Sequence, residues 1–245
     1  MWGAQQKFDG ERTAVRSSSD ATVGINKKGQ VVSLAQGIVT DIAKTGRSCL
    51  VDGEGIGNTL YAFDLLDRDT TDLRNMRYID RYKALQVFIE ENEFQHIELV
   101  DLATTTSLKR ALFNRVKLAG GEGIVFKKLD SIHEPDRPSS GGNHLKAKFW
   151  ESATCVVSDH NLGKRSVKLS GFDVDGTKVS IGSVTIPANK NIPYIGAYVE
   201  VKYLYYYGKN GSLFQPQFIG IRTDADNSDC CIDQLKIVPE FKKAA

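Results

Sequence analysis

Lys7-Phe8-Asp9-Gly10-Glu11-Arg12 is the stretch on which the reading of this 245-residue chain turns. A lysine beside an Asp-Gly turn is ordinarily a solvated surface residue, so the hexapeptide gains weight only from partners further along the chain. In order, these are Asp52-Gly53-Glu54, Phe63-Asp64-Leu65-Leu66, Glu122-Gly123-Ile124-Val125-Phe126-Lys127 and Lys146-Ala147-Lys148. Each alone has a dull reading: a strand end, a buried phenylalanine, a β-turn, an exposed basic strand. Jointly they place one early lysine, two acidic strand positions, an aromatic ring and three later lysines on strands of one sheet system.

The chain around these segments reads as α+β, then all-β. Thr13 to Arg16, Thr22 to Asn26 and Val31 to Leu34 are β-type runs separated by Ser17-Ser18-Ser19-Asp20 and Lys28-Gly29, which predicts antiparallel hairpins. A short helix is expected over Ala35 to Lys44, then strands over Cys49 to Gly55 and Thr59 to Leu66. Helical periodicity marks Tyr78 to Asn92 through Tyr78, Tyr82, Leu85 and Ile89. It also marks Ser107 to Ala119 through Leu108, Ala111, Leu112 and Val116, with Ser107 as the expected N-cap. Ile97 to Leu102 and Gly123 to Lys128 read as strands, and Asp130 to Asn143 as the longest flexible loop. Beyond a boundary near Phe149 to Glu151 come five strands: Ala153 to Ser158, Ser166 to Phe172, Lys178 to Val184, Tyr198 to Tyr207 and Gln217 to Arg222. Five short strands at that spacing suggest a small barrel of the OB type. The expected domains are 1–149 and 150–245.

Composition narrows the function classes. Hydrophobic residues are 41% and charged residues 25%, close to the globular average, which excludes global disorder and fibrous repeats. No apolar run has the length of a membrane span and no signal-type segment opens the chain, so a soluble, cytoplasmic protein without membrane partners is expected. The 32 Lys plus Arg against 30 Asp plus Glu give +2, too little to argue for nucleic-acid binding from net charge. Any such case rests on local clusters: Lys27-Lys28, Lys109-Arg110, Arg115 with Lys117, and Lys164-Arg165 with Lys168. Cys49, Cys155, Cys230 and Cys231 form no CxxC pair, so reduced thiols are expected rather than zinc or disulfides.

The constellation resembles the covalent nucleotidyltransferases, and most closely the small ATP-dependent DNA ligases. In that resemblance Lys7 to Arg12 is the nucleophile motif KxDGxR, and Asp52-Gly53-Glu54 the DGE motif. Phe63 is the aromatic of the next motif, Glu122 to Lys127 is EGxxxK, and Lys146-Ala147-Lys148 is KxK. Arg222-Thr223-Asp224-Ala225 is similar to the family's RxDK, with Ala225 replacing the lysine. The family's serine-arginine pair is replaced by Asn26-Lys27, and lysine cannot supply arginine's bidentate fork.

The resemblance implies a nucleotidyltransferase (adenylation) domain of antiparallel sheets with helices, followed by an OB-fold domain. It implies a monomer acting on nicked duplex DNA and ATP, with Mg2+ or Mn2+. Only six residues precede Lys7, which favours ATP over NAD as the AMP donor. Lys7 would be the nucleophile and Asp9 an orienting residue, with Arg12 at the nick. Lys27 would be a nucleotide contact, Glu54 would face ribose and metal, and Glu122 would face metal. Phe63 would stack on adenine, and Lys127, Lys146 and Lys148 would surround the phosphates. Arg222 and Asp224 would orient the pyrophosphate. A free lysine near pKa 10.4 is only about 0.1% neutral at pH 7.4, so neighbouring cations are expected to activate Lys7. An RNA ligase, a capping guanylyltransferase and a non-catalytic OB-type nucleic-acid binder stand as alternatives. Labelling with ATP or GTP, then nicked DNA against nicked RNA, discriminates them.

Overall fold

The computed structural model describes residues 1–134, 142–208 and 211–238. The expected loop over Asp130 to Asn143 therefore lies partly outside the described residues. The chain divides into two compact units, Met1–Lys148 and a second that begins at Phe149.

The first unit holds two sheets, where the sequence suggested one. The smaller is antiparallel, in the order β1 (Trp2–Lys7), β9 (Gly123–Lys128), β10 (His144–Lys148). The larger runs β4 (Val31–Val32), β3 (Thr22–Asn26), β2 (Glu11–Ser17), β5 (Cys49–Ile56), β6 (Thr59–Arg68), β7 (Thr71–Asp72). A short strand, β8 (Ile97–Leu99), pairs parallel to β6. The motif residues are thus shared between two sheets: Lys7, Lys127, Lys146 and Lys148 on the smaller, Arg12, Glu54 and Phe63 on the larger. Trp2-Gly3-Ala4-Gln5-Gln6-Lys7 lacks strand alternation and still forms β1, because β9, far along the chain, supplies its ladder.

The larger sheet buries one face under α1 (Gln36–Lys44) and α2 (Tyr78–Glu90). Ile38 and Ile42 of α1 and Leu85 and Phe88 of α2 meet Val51, Leu60 and Leu65 in one apolar core. Full burial of a side chain such as Leu85 contributes roughly 1.5–3 kcal/mol. The third helix, α3 (Thr106–Leu118), lies against β1 and β9. Its N-cap is Thr105, whose side chain accepts from the Leu108 N–H at 3.2 Å, and not Ser107, which sits inside the first turn. Its apolar stripe is also narrower than expected: Leu112 and Val116 are buried, Leu108 and Ala111 exposed.

The second unit is a five-stranded antiparallel sheet in the order β13 (Lys178–Thr185), β12 (Ser166–Phe172), β11 (Glu151–His160), β14 (Tyr198–Tyr203), β15 (Gln217–Arg222). The edge strands β13 and β15 approach one another. Inward residues such as Val157, Leu169, Ile181, Val199 and Tyr203 fill its core. β14 ends at Tyr203, short of the expected Tyr207; Tyr206 instead bridges Leu213 and Ile237. All four cysteines are free thiols, and burial pushes those of Cys49 and Cys230 up to about 11. Among the described residues, no helix is long and apolar enough to cross a membrane.

Candidate active site on the three-stranded sheet

The register of the smaller sheet builds the site. Residues directly opposite one another in antiparallel strands project to the same side. Lys7, Gly123 and Lys148 are aligned in one row; Gln5, Val125 and Lys146 form the next; Gly3, Lys127 and His144 form the third. One face of three short strands therefore carries four lysines, a glutamine and a histidine. The central strand must be approached closely at its start: Gly123 has φ +155, and a Cβ there would meet the Ala147 carbonyl oxygen at 2.2 Å.

In the first row the Lys7 ammonium meets a carboxylate. Its Nζ lies 2.5 Å from Glu122 Oε2, while Lys148 Nζ lies 2.8 Å from Glu122 Oε1. The Lys148 approach is an ion-pair contact without hydrogen-bond alignment, so Oε1 is a buried oxygen with no hydrogen-bond partner among the described residues. Glu122 is held here by the turn that links α3 to β9; its side chain is 1% exposed. Lys146 is exposed as a residue, yet its pKa is lowered, first by partial desolvation of its ammonium and then by Lys7 and Lys148.

The larger sheet brings two more carboxylates toward this row. Glu54 Oε1 accepts the Gly10 N–H at 3.1 Å. Burial raises the Glu54 pKa, Lys7 and the Gly10 N–H oppose the rise, and Glu122 and Asp52 add to it. Gly10 is required by proximity, since a Cβ would meet the Gly55 carbonyl oxygen at 2.3 Å. Arg12 pairs with Asp52 through Nε at 3.2 Å and Nη2 at 2.6 Å, and that pairing raises the arginine pKa. Phe8 stacks on Tyr61 with centroids 4.1 Å apart, joining the residue after Lys7 to β6.

The third row is a different environment. Lys127 is 5% exposed, with Nζ 4.0 Å from the Phe63 ring centroid and 4.6 Å from that of Tyr78. Nζ donates to the Tyr78 hydroxyl at 3.3 Å. That hydroxyl lies 2.8 Å from Gln5 Oε1 and 2.9 Å from the Phe63 carbonyl oxygen, its two candidate acceptors. Burial pushes the Lys127 pKa down to about 8 against the opposing charges of Asp64 and Asp52. Behind it, Arg81 and Asp64 form a buried bidentate pair, both bonds 2.8 Å. His144 has its pKa lowered to about 4, by burial and then by Lys127, Arg12 and Arg81.

Of the lysines expected to crowd Lys7, the register thus brings Lys146 and Lys148 near it. Lys127 stands two rows away, about 14 Å along the strand at roughly 3.4 Å per residue. Lys27 is exposed in the β3–β4 turn, with no side-chain partner among the described residues. Asp9 lies in the turn between β1 and β2. Arg222, in the second unit, forms a fork with Asp224 at 2.7 and 2.8 Å and also reaches Glu200 and Thr154. Several basic residues flagged as DNA contacts are already engaged: Arg115 with Asp101, Lys168 with Asp159, and Arg165 with the Pro187 and Lys190 carbonyls. Sequence reasoning missed Gln5, Tyr78 and His144. Tyr78 did carry a signal, as the first residue of the α2 stripe, but periodicity marks only its burial and not its hydroxyl.

Among the described residues, no three His, Cys, Asp or Glu side chains gather as a metal-binding group. The nearest carboxylate donors are Glu54 and Glu122, whose Oε1 is in ion-pair contact with Lys148 but accepts no hydrogen bond among the described residues. Two hard carboxylate oxygens suit a cation such as Mg2+ that keeps several waters, and do not suit zinc.

Residues 55–148 match the family described as ATP dependent DNA ligase domain. DNA ligase C2 of Mycolicibacterium smegmatis is 27% identical over 129 residues, a match covering 50% of this chain and 35% of that protein. The chain therefore spans about a third of that relative's length. The solved structure described as Pmar-Lig_PreS3 superposes with a TM-score of 0.74 at 18% identity, covering 90% of this chain and 63% of the other. A structure from a study of Lig E DNA ligases, described as DNA binding with a minimal scaffold, gives 0.68 at 18% identity, covering 90% and 92%. At such identities the two structures establish shared fold.

Proposed function

We infer that this chain, whose residues 55–148 match the ATP-dependent DNA ligase domain family, is an ATP-dependent polynucleotide ligase that seals 5'-phosphate/3'-hydroxyl nicks in duplex DNA. The observation that carries this reading is the first row of the small sheet, where Lys7 stands with Glu122 and Lys148 and beside Lys146. One amine on a strand end, ringed by an acid and two further cations, is the equipment for moving a nucleotidyl group by way of a phosphoramidate.

The arrangement serves three transfers. The Lys7 amine attacks the α-phosphorus of ATP; the bond to the bridging oxygen breaks and pyrophosphate leaves. Glu122 Oε2, at 2.5 Å, is the atom placed to take the amine proton. A 5'-phosphate oxygen next attacks the same phosphorus, and the Lys7 nitrogen leaves and regains a proton. The 3'-hydroxyl then attacks the activated 5'-phosphate, forming the phosphodiester and releasing AMP. Lys146 and Lys148 offset the charge that builds on the phosphate oxygens, and such stabilisation is the protein's main contribution to phosphoryl transfer. Glu54 and Glu122 would be the residues to hold Mg2+, which would supply further charge neutralisation when bound. The open face of Phe63 is the stacking surface for adenine. Sheet order and the approach of β13 to β15 support an OB-type barrel for the second unit, in which Arg222 and Asp224 orient the pyrophosphate.

The test is incubation with ATP labelled in the α-phosphate, which should leave a covalently labelled band on a denaturing gel. The label should then pass to nicked DNA and be released as AMP on sealing. No labelled band overturns the enzyme reading; transfer to nicked RNA but not nicked DNA overturns the substrate assignment.

A further inference from the structure

Lys127 is a buried ammonium without a carboxylate in contact among the described residues. Its head sits between two aromatic faces, and its one hydrogen bond is to the Tyr78 hydroxyl. Tyr78, fully buried, places the same hydroxyl against the Phe63 carbonyl oxygen, so one side chain touches both the lysine head and the backbone of Phe63. Phe63 itself stands at an irregularity of β6: Asp52 pairs with Asp64 and Gly53 with Ala62, so Phe63 has no Cα partner on β5 and its ring is not fixed by the ladder. The groups at hand are Lys127 on one of its faces and Tyr78 at its backbone.

We propose that Lys127, steadied by Tyr78, is a positioning residue for the Phe63 ring and not a phosphate ligand. The ammonium occupies one face of the ring, leaving the opposite face for a base. A cation over an aromatic face draws on its quadrupole, so the ring meets an electron-rich purine with less repulsion between the two π-clouds. The register agrees, since Lys127 is two rows from Lys7, too far along the sheet to share the reacting phosphate. This inference rests on the reading of Phe63 as the adenine-stacking residue.

A double-mutant cycle on self-adenylylation separates the two. Phe63→Ala should raise the KM for ATP about thirtyfold, in line with the cost of losing one base–aromatic stack. Lys127→Met should raise it about tenfold with kcat little changed, and Tyr78→Phe, which removes only the hydroxyl, by a smaller factor in the same direction. In the Phe63→Ala background, Lys127→Met should add nothing further, because the residue through which it acts is gone. Multiplying effects in the double variant, or a fall in kcat with KM unchanged for Lys127→Met, would overturn the inference and leave the stacking reading intact. An unchanged KM in Phe63→Ala would remove both. Tyr78→Phe retains the buried ring and should fold, so it repeats the test should either other variant be unstable; an unchanged KM there also counts against the inference.

Discussion

Replacing Lys127 by methionine should make the protein more stable while making it a worse enzyme. The pKa of this buried lysine falls from 10.5 to about 8. At about 1.36 kcal/mol per unit, keeping the proton in the native state costs about 3 kcal/mol. The sign is set by proton binding. Between pH 8 and about 10.4 the unfolded chain holds this proton and the native chain does not, so native stability rises with pH across that window. Methionine has similar reach and no charge, and removes the penalty at every pH. The variant should therefore be more stable by about 3 kcal/mol at pH 7, and the difference should shrink to about 1 kcal/mol by pH 9.5. Urea unfolding at the two pH values, monitored by Trp2 fluorescence in a shared Trp150→Phe background, reads out the first unit. A variant less stable than its parent at pH 7, or a difference that does not move with pH, would refute the argument. A stabilised variant with weakened use of ATP would show that the fold tolerates a costly buried charge for the sake of the site.

Four further outcomes are expected. Lys7→Ala should abolish covalent labelling by ATP yet retain some sealing of a nick already carrying AMP on its 5'-phosphate, measured by gel assay; wild-type labelling would sink the nucleophile assignment. Asp64→Asn should cost about 3–5 kcal/mol in urea unfolding, because it leaves the Arg81 guanidinium buried without its anion. Arg222→Ala should slow self-adenylylation far more than sealing of a pre-adenylylated nick, and equal slowing of both in single-turnover assays would remove Arg222 from pyrophosphate orientation. Binding to nicked DNA should weaken steeply between about 50 and 200 mM salt, with a slope near 0.9 per neutralised phosphate and no preference among nick sequences; a flat response would exclude backbone contacts.

What the sequence disclosed, and what it hid, divides along the range of the forces involved. Local signals sufficed where local chemistry decides: the hairpins at Thr22–Asn26, the helix from Tyr78, the strand Gly123–Lys128. They failed where a distant partner decides. The Trp2–Lys7 strand has no alternating apolar face, and is held by a segment more than a hundred residues away. Gln5, with a polar side chain, gives no sign of burial; it is 1% exposed because the Tyr78 hydroxyl and the Val100 carbonyl satisfy its amide. The motifs named Lys7, Glu122 and Lys148, but spacing cannot say that one carboxylate bridges two lysines. Nor can it say that Lys127, from the same hexapeptide as Glu122, lies over the Phe63 ring.

Under the proposed function, that bridge bears on how a nearly neutral protein would draw in polyanions. With a formal charge of +2, long-range steering toward nucleotide or DNA is weak. Lys146 is exposed, but most cations of the site are closed on an anion. Lys7 and Lys148 close on Glu122, whose side chain is 1% exposed, and Arg12 closes on Asp52. In the second unit Arg222 closes on Asp224 in the same way. Under the proposed function, a phosphate entering either place would find cations already oriented by an anion of the protein, so it would exchange one anionic partner for another. Selectivity then rests on which anion competes best with a glutamate or aspartate for a given fork or amine. A triphosphate reaching Lys7, Lys146 and Lys148 at once would have that advantage, whereas a lone carboxylate or inorganic phosphate would not. Under the proposed function the charge balance of the resting site would therefore be part of the discrimination, and it would depend on Glu122 being buried between Lys7 and Lys148.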